Sequence, residues 1–353
     1  MKIILKILDS IQSFKRMRTV VPAKAGIQLC RSVDKPESTY LISILLAFFI
    51  ANGEVIAENN AIRFVIMGNI SGVLRECICP QGTSGGIARL TTAIEQIRKD
   101  SPNAIFLDGG RLTSRFNNDD EIRLLADLYY DLRMDVNNFY LEDYFLFHRA
   151  ELALEQLFCG SQHKMYIPFK QLEAGKLERI NQHIVIKKAS VDVNITTVTA
   201  NFDFTKSHKD LVKLWHYIEG YNVIDRSRDP EAIPQANEGL NVLMYNLVES
   251  QEDVDFGKNV PAEVESAKGY DVVIIGGGGF FEPELRECLS NKETGKTKLV
   301  VFPGVYGEHI IVLDIIVDGD GGIVSYEWEL LFTGSVLPDE TVLEKVLRVL
   351  GTF

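Results

Sequence analysis

Residues 104–110 read Ala-Ile-Phe-Leu-Asp-Gly-Gly. Four apolar residues in succession, Ala104 to Leu107, stop at a carboxylate and two glycines. A short apolar run closed by turn residues marks a strand buried on both faces. The pattern recurs. Ile62 to Met67 ends at Gly68, and Val272 to Ile275 runs into Gly276-Gly277-Gly278-Gly279. Further strands are expected at 184–186, 195–198, 240–247, 299–302, 310–317 and 323–331. Between the strands the apolar spacing changes. From Gly85 to Lys99 it falls on Ile87, Leu90, Ala93, Ile94 and Ile97, which is one face of a helix. Residues 119–132 repeat this with Ile122, Leu125, Leu128 and Leu132. A further helix is expected at 146–158, and a last one at 339–350 with Val342, Val346, Leu347 and Leu350. Strands alternating with helices predict a layered α/β fold. No repeat or low-complexity linker divides residues 58–353, which predicts one domain there.

Composition narrows the class of partner. Of 353 residues, 46% are hydrophobic and 24% charged, as in an ordinary globular protein. With 37 basic and 49 acidic residues the net charge is −12, which argues against nucleic acid.

Residues 41–51 read Leu-Ile-Ser-Ile-Leu-Leu-Ala-Phe-Phe-Ile-Ala. The run is short for a membrane span and suits the apolar core of a signal peptide. Val55-Ile56-Ala57 supplies a cleavage site, and eight basic residues precede the run. Those 40 preceding residues are long for such a leader, so the start is expected downstream, near Met17 or beyond. Residues 21–28 look like translated intergenic sequence from a bacterial genome. The expectation is therefore a leader over 1–57 and an exported, periplasmic or envelope protein. An uncleaved anchor is the alternative. Residues 1–57 hold 8 basic and 4 acidic residues; without them 29 basic and 45 acidic remain, a net −16.

Several chemistries are disfavoured by spacing. The glycine run at 276–279 does not give G-x-G-x-x-G, because Phe281 or Glu282 stands where the last glycine is needed. No P-loop motif and no G-x-S-x-G occurs. None of the six histidines has a neighbour at metal-ligand spacing. Cys77, Cys79, Cys159 and Cys288 are candidates for disulfides in an oxidising compartment, with three two-bridge connectivities open. A four-cysteine metal site is the alternative, although C-x-C is unusual spacing for zinc.

The order of these pieces resembles the metallophosphoesterase domain of the 5′-nucleotidase and UDP-sugar hydrolase family, from about residue 61 to 349. Cys77-Ile78-Cys79-Pro80, followed by Gly85-Gly86-Ile87-Ala88-Arg89, resembles the family's cysteine motif and its "GGLAR" helix start. Ile105 to Gly110 resembles "LLLDAGD", and Tyr270 to Gly277 resembles "DVVIGGH". Tyr306-Gly307-Glu308-His309, Leu313-Asp314-Ile315 and Asp318-Gly319-Asp320-Gly321 resemble the closing strands. Leu337-Pro338-Asp339 resembles the domain end. The resemblance implies a calcineurin-like four-layer α/β/β/α sandwich, with a two-metal site at the carboxyl ends of the strands.

The chain departs from the family at those ends. The first motif, D-x-H-G, falls on Asn69-Ile70-Ser71-Gly72. The metal-bridging aspartate falls on Arg111, three residues after Asp108. The ligand asparagine and catalytic histidine of "GNH" fall on Leu141 and Glu142. The ligand histidine of "LSH" falls on Asn246, and the final H-x-H falls on Gly278 and Phe280. A bridged pair of divalent cations needs anionic oxygen and imidazole donors. A fixed guanidinium at the bridging position repels them. The expectation is therefore no metal and no other cofactor, and a catalytically silent relative that acts by binding or as an envelope component. Its partner would be a small molecule or an envelope protein. The alternative is a phosphoester hydrolase with a rebuilt site, in which Asp108, Glu142 and Asp143 supply acid or base and Arg111 holds phosphate. Arg111 is also expected to pair with a carboxylate, Glu142 first and Asp108 or Asp143 next.

Overall fold

The computed structural model describes residues 61–79, 82–114, 116–138, 143, 146–147, 149–150, 164–166, 169–173, 176–179, 182–188, 190–199, 222–224, 238–247, 264, 267–277, 282–289 and 297–351. The leader expectation at 1–57 and most of the helix expected at 146–158 lie outside these residues.

In chain order the strands begin with β1 (Ala61–Met67), β2 (Cys77–Cys79), β3 (Gly82–Ser84), β4 (Ile105–Asp108), β5 (Val136–Asn138) and β6 (Lys164–Tyr166). Then come β7 (Phe169–Glu173), β8 (Lys176–Arg179), β9 (Gln182–Lys188), β10 (Val191–Thr199) and β11 (Asn222–Ile224). The last six are β12 (Leu240–Leu247), β13 (Val272–Gly277), β14 (Glu284–Leu289), β15 (Thr297–Phe302), β16 (His309–Val317) and β17 (Ile323–Phe332). Among the described residues, helices α1 (Ile87–Asp100), α2 (Asp119–Leu132) and α3 (Glu340–Val349) frame them. The helix expected from Gly85 begins two residues later, because Gly85 and Gly86 both take left-handed φ, 68° and 80°. α2 starts where Asn118 accepts from the Glu121 amide and Glu121 returns the bond, a capping box.

Two six-stranded mixed sheets hold most of the strands. The first runs β17-β16-β1-β4-β5-β6, with β1, β4, β5 and β6 parallel. The second runs β14-β15-β13-β12-β10-β9, with β10, β12, β13 and β15 parallel. Small sheets β11-β8-β7 and β2-β3 complete the order.

Alternation along each strand divides the core. Val65 and Met67 of β1 face α1 and α2, among Ile87, Leu90, Ile94, Leu125 and Leu128. Phe64 and Ile66 face the other way, against Val242, Met244, Ile274 and Leu299 of the second sheet. The far side of that sheet, with Leu243, Tyr245, Val273 and Val300, packs on Val264, Ala267 and Tyr270. Three cores between successive layers give the α/β/β/α arrangement. The sheet-to-sheet core is apolar up to the carboxyl ends of β5, β10 and β12, where Asn138, Thr197 and Asn246 replace the aliphatics.

Candidate functional site at the strand ends

β1, β4, β5, β12 and β13 present their carboxyl ends to one another, and the two sheets touch there. Asn69, two residues past β1, is 1% exposed. Its amide donates to the Gly277 carbonyl, and its oxygen accepts from the Gly277 N–H at 3.0 Å. A Cβ added to Gly276 would lie 2.0 Å from the Gly109 carbonyl oxygen, so these two glycines pass backbone against backbone. Asn246 at the end of β12 donates to the Asn138 carbonyl at the end of β5, at 3.2 Å. The glycine at 276 thus has a steric reason unrelated to any nucleotide loop.

The loop after β4 is built around buried carboxylates. Asp108 is 3% exposed and accepts from the Gly110 N–H at 3.1 Å and from the Tyr129 hydroxyl of α2. Burial pushes its carboxyl up to about 7; the Tyr129 and Gly110 hydrogen bonds oppose that rise, and the Asp143 charge adds to it. Burial and the Asp108 carboxylate hold the Tyr129 phenol well above its ordinary range. Asp143 is fully buried and accepts from the Leu112 N–H at 3.1 Å, the Thr113 N–H at 2.7 Å and the Thr113 hydroxyl at 2.6 Å. These donors follow Arg111, whose φ is 59°. A left-handed residue followed by ordinary backbone turns successive N–H groups toward one anion, and Asp143 is that anion.

Three non-glycine residues in left-handed backbone gather at these loops: Ser71 at φ 52°, Arg111 at 59° and Tyr306 at 61°. The Ser71 N–H bonds the Arg111 carbonyl at 2.8 Å, and the Tyr306 N–H bonds the Asn69 carbonyl at 2.6 Å. Such backbone costs free energy and persists only where surrounding bonds impose it. Arg111 is half-buried. Burial raises the Tyr306 phenol, and the Arg111 charge opposes that rise.

Of the positions singled out in the sequence, Asn69, Ser71, Asp108, Arg111, Asp143 and Asn246 come together here. Leu141, Glu142, Gly278 and Phe280 lie outside the described residues, so the preferred Arg111–Glu142 pair lies outside them too. The backbones of Cys77, Cys79 and Cys288 stand in β2 and β14; their side chains and all of Cys159 lie outside the description, and with them the disulfide expectation. Tyr129 and Thr113 were missed. Tyr129 sits on a helix face that reads as core, and nothing in the sequence marks its hydroxyl. Asn137 and Asn138 were missed as well, because β5 is only three residues long and shows no period. Asn138 is 1% exposed, and neither the nitrogen nor the oxygen of its side-chain amide makes a hydrogen bond.

No protein-family model and no curated protein matches the chain. Solved structures do. A 5′-nucleotidase precursor from Thermus thermophilus superposes with a TM-score of 0.53 at 18% identity, over 82% of this chain and 58% of that one. The sulfate thiohydrolase SoxB of Thermus thermophilus gives 0.56 at 13% identity, over 82% and 60%. The calcineurin-like phosphoesterase YfkN of Bacillus subtilis gives 0.50 at 14%, over 82% and 97%. The chain spans less than two thirds of the first two. The element order, the two sheets and these superpositions agree: the chain has the 5′-nucleotidase-like metallophosphoesterase fold.

Proposed function

We propose that this chain is an exported, catalytically silent relative of the 5′-nucleotidase-like phosphoesterases, acting by binding a small molecule or an envelope protein. The direct seam between the sheets carries the reading. Phosphoester cleavage on this fold needs space and anionic donors at the strand ends; here Asn69 is bonded to Gly277 at both ends of its amide, and Gly276 lies on Gly109. The donor chemistry supports the same view. Both oxygens of Asp108 and both of Asp143 already accept hydrogen bonds from the protein, and Arg111 stands where the resemblance implies the bridging carboxylate. These residues do not fit a pair of divalent cations. The rebuilt-site hydrolase is disfavoured for the same reason, since two of its carboxylates, Asp108 and Asp143, are buried and hydrogen-bonded within the loop that follows β4.

The test is elemental analysis and phosphatase assay of the purified chain with magnesium, manganese, cobalt and zinc. We expect less than one tightly held metal per chain and no turnover above background. Two metals per chain, or metal-dependent release of phosphate, would overturn the proposal. Export rests on the apolar run at 41–51. Residues 1–60 fused to a periplasm-dependent reporter should give an active reporter; retention in the cytoplasm would refute it. Among the described residues no helix is long and apolar enough to cross a membrane.

A further inference from the structure

We propose that β17 is a homodimer interface, through which two copies of this chain pair their first sheets edge to edge. Among the described residues β17 forms the edge of that sheet and pairs with β16 alone. Ten residues long, it lacks the proline or lysine that commonly guards a free edge. Its apolar side chains are exposed: Trp328 41%, Leu330 38% and Phe332 41%. All three lie on one face, opposite Leu313, Ile311 and His309 of β16. Phe332 stacks at a tilt on His309, with ring centroids 5.4 Å apart.

The occupant follows from the pattern of charge. Glu327 and Glu329 are the charged residues of β17, and both are exposed. An antiparallel pair of identical strands has a two-fold axis, so each register is fixed by the residue on the axis. With Glu327 or Glu329 on the axis, a glutamate faces itself. With Trp328 on the axis, Glu327 faces Glu329 twice. Like charges directly opposed weaken a strand pair. With Tyr326 on the axis, Leu330 and Phe332 fall opposite Gly322 and Asp320, beyond the strand. Placing Leu330 on the axis removes every conflict. Trp328 then faces Phe332 twice, Leu330 meets its own copy, and Glu329 faces Leu331. The three exposed apolar residues form one self-complementary unit. The shared edge is short, which places the dimer among small, weak interfaces.

Sedimentation velocity of the full chain across a range of concentrations tests this. The native chain should pass from monomer to dimer. Leu330→Lys sets two ammonium groups on the axis and should raise the dissociation constant at least about tenfold, with an unchanged circular dichroism spectrum. The register is read by charge rescue. A Trp328→Lys/Phe332→Lys chain and a Trp328→Glu/Phe332→Glu chain should each remain monomeric, and a mixture of the two should form heterodimers. A native chain that stays monomeric throughout would overturn the proposal. So would association unaffected by Leu330→Lys, or folded variants that fail to associate when mixed.

Discussion

Asp108 shows what a single residue does when its surroundings change. In water an aspartate ionises near 3.8; inside this fold its carboxyl is pushed up to about 7, because burial outweighs the Tyr129 and Gly110 hydrogen bonds. A group whose folded value exceeds its unfolded value holds its proton more tightly when folded. Its contribution to stability is full below about pH 4 and declines as pH rises toward 7. The whole decline amounts to roughly 4 kcal/mol. Asp108→Asn keeps an oxygen for Gly110 and a polar partner for Tyr129 but cannot ionise. We expect it to be more stable than the native protein at pH 8, by about 2–4 kcal/mol, and level with it at pH 4. Urea denaturation between these limits checks this; parallel profiles for the two proteins would refute it. The sequence put Asp108 at a strand end, because an apolar run stopping at Asp-Gly-Gly is a local pattern. It could not reveal that the carboxyl is buried, because Tyr129 arrives from a helix 21 residues later.

Elements with strong periodicity were legible in this way. β1, β4, β12, β13, β15 and β16 each contain a run of three or four consecutive apolar residues, and α1, α2 and α3 carry apolar stripes. β2, β3 and β5 were not, since three polar or mixed residues contain no period, and neither was β14, whose Glu-Leu-Arg-Glu-Cys-Leu does not alternate cleanly. β5 illustrates the reason: Asn137 and Asn138 are strand by virtue of the neighbours β4 and β6, not by propensity. The glycines after β4 were legible as a strand end; Gly276 and Gly277 read as one too but continue β13, and the contact between the two elements was not legible. Gly276 Cα lies against the Gly109 backbone, where even a methyl group would meet a carbonyl oxygen at 2.0 Å. The obstacle is main chain on both sides and cannot rotate away. Gly276→Ala should therefore force β4 and β13 apart and destabilise by roughly 3 kcal/mol, the upper end for overpacking. Glycine at 319, whose added Cβ would meet nothing within 4 Å, serves as the control: Gly319→Ala should change stability little. Equal thermal shifts for the two variants would show that the contact at 276 is slack.

At the scale of the whole molecule, two sheets that share an apolar core are also fastened at one end by Asn69. This is where the resemblance to a metal-dependent family and the structure of this chain part. A carboxylate at 69 is what the resemblance implies for an active member; here a neutral amide both gives to and takes from the Gly277 backbone. Asn69→Asp makes the smallest chemical return toward that motif. The oxygen facing the Gly277 N–H survives, but the donor facing the Gly277 carbonyl becomes a second oxygen. Two acceptors then oppose each other in a site 1% exposed to solvent. The side chain must either ionise in a buried place or hold a proton that the isolated residue would lose at neutral pH. We expect a loss of about 3 kcal/mol at pH 7, easing as pH falls and the carboxyl takes up its proton. Divalent cations should not repair it. One added carboxylate still faces the Gly277 backbone, and the oxygens of Asp108 and Asp143 remain committed to their own loops. Thermal melts of the variant with and without millimolar manganese decide the matter. A manganese-dependent rise in the midpoint that the native protein lacks would mean that the seam can open and accept a metal. The strand ends would then be a dormant catalytic site, not a fastening between sheets.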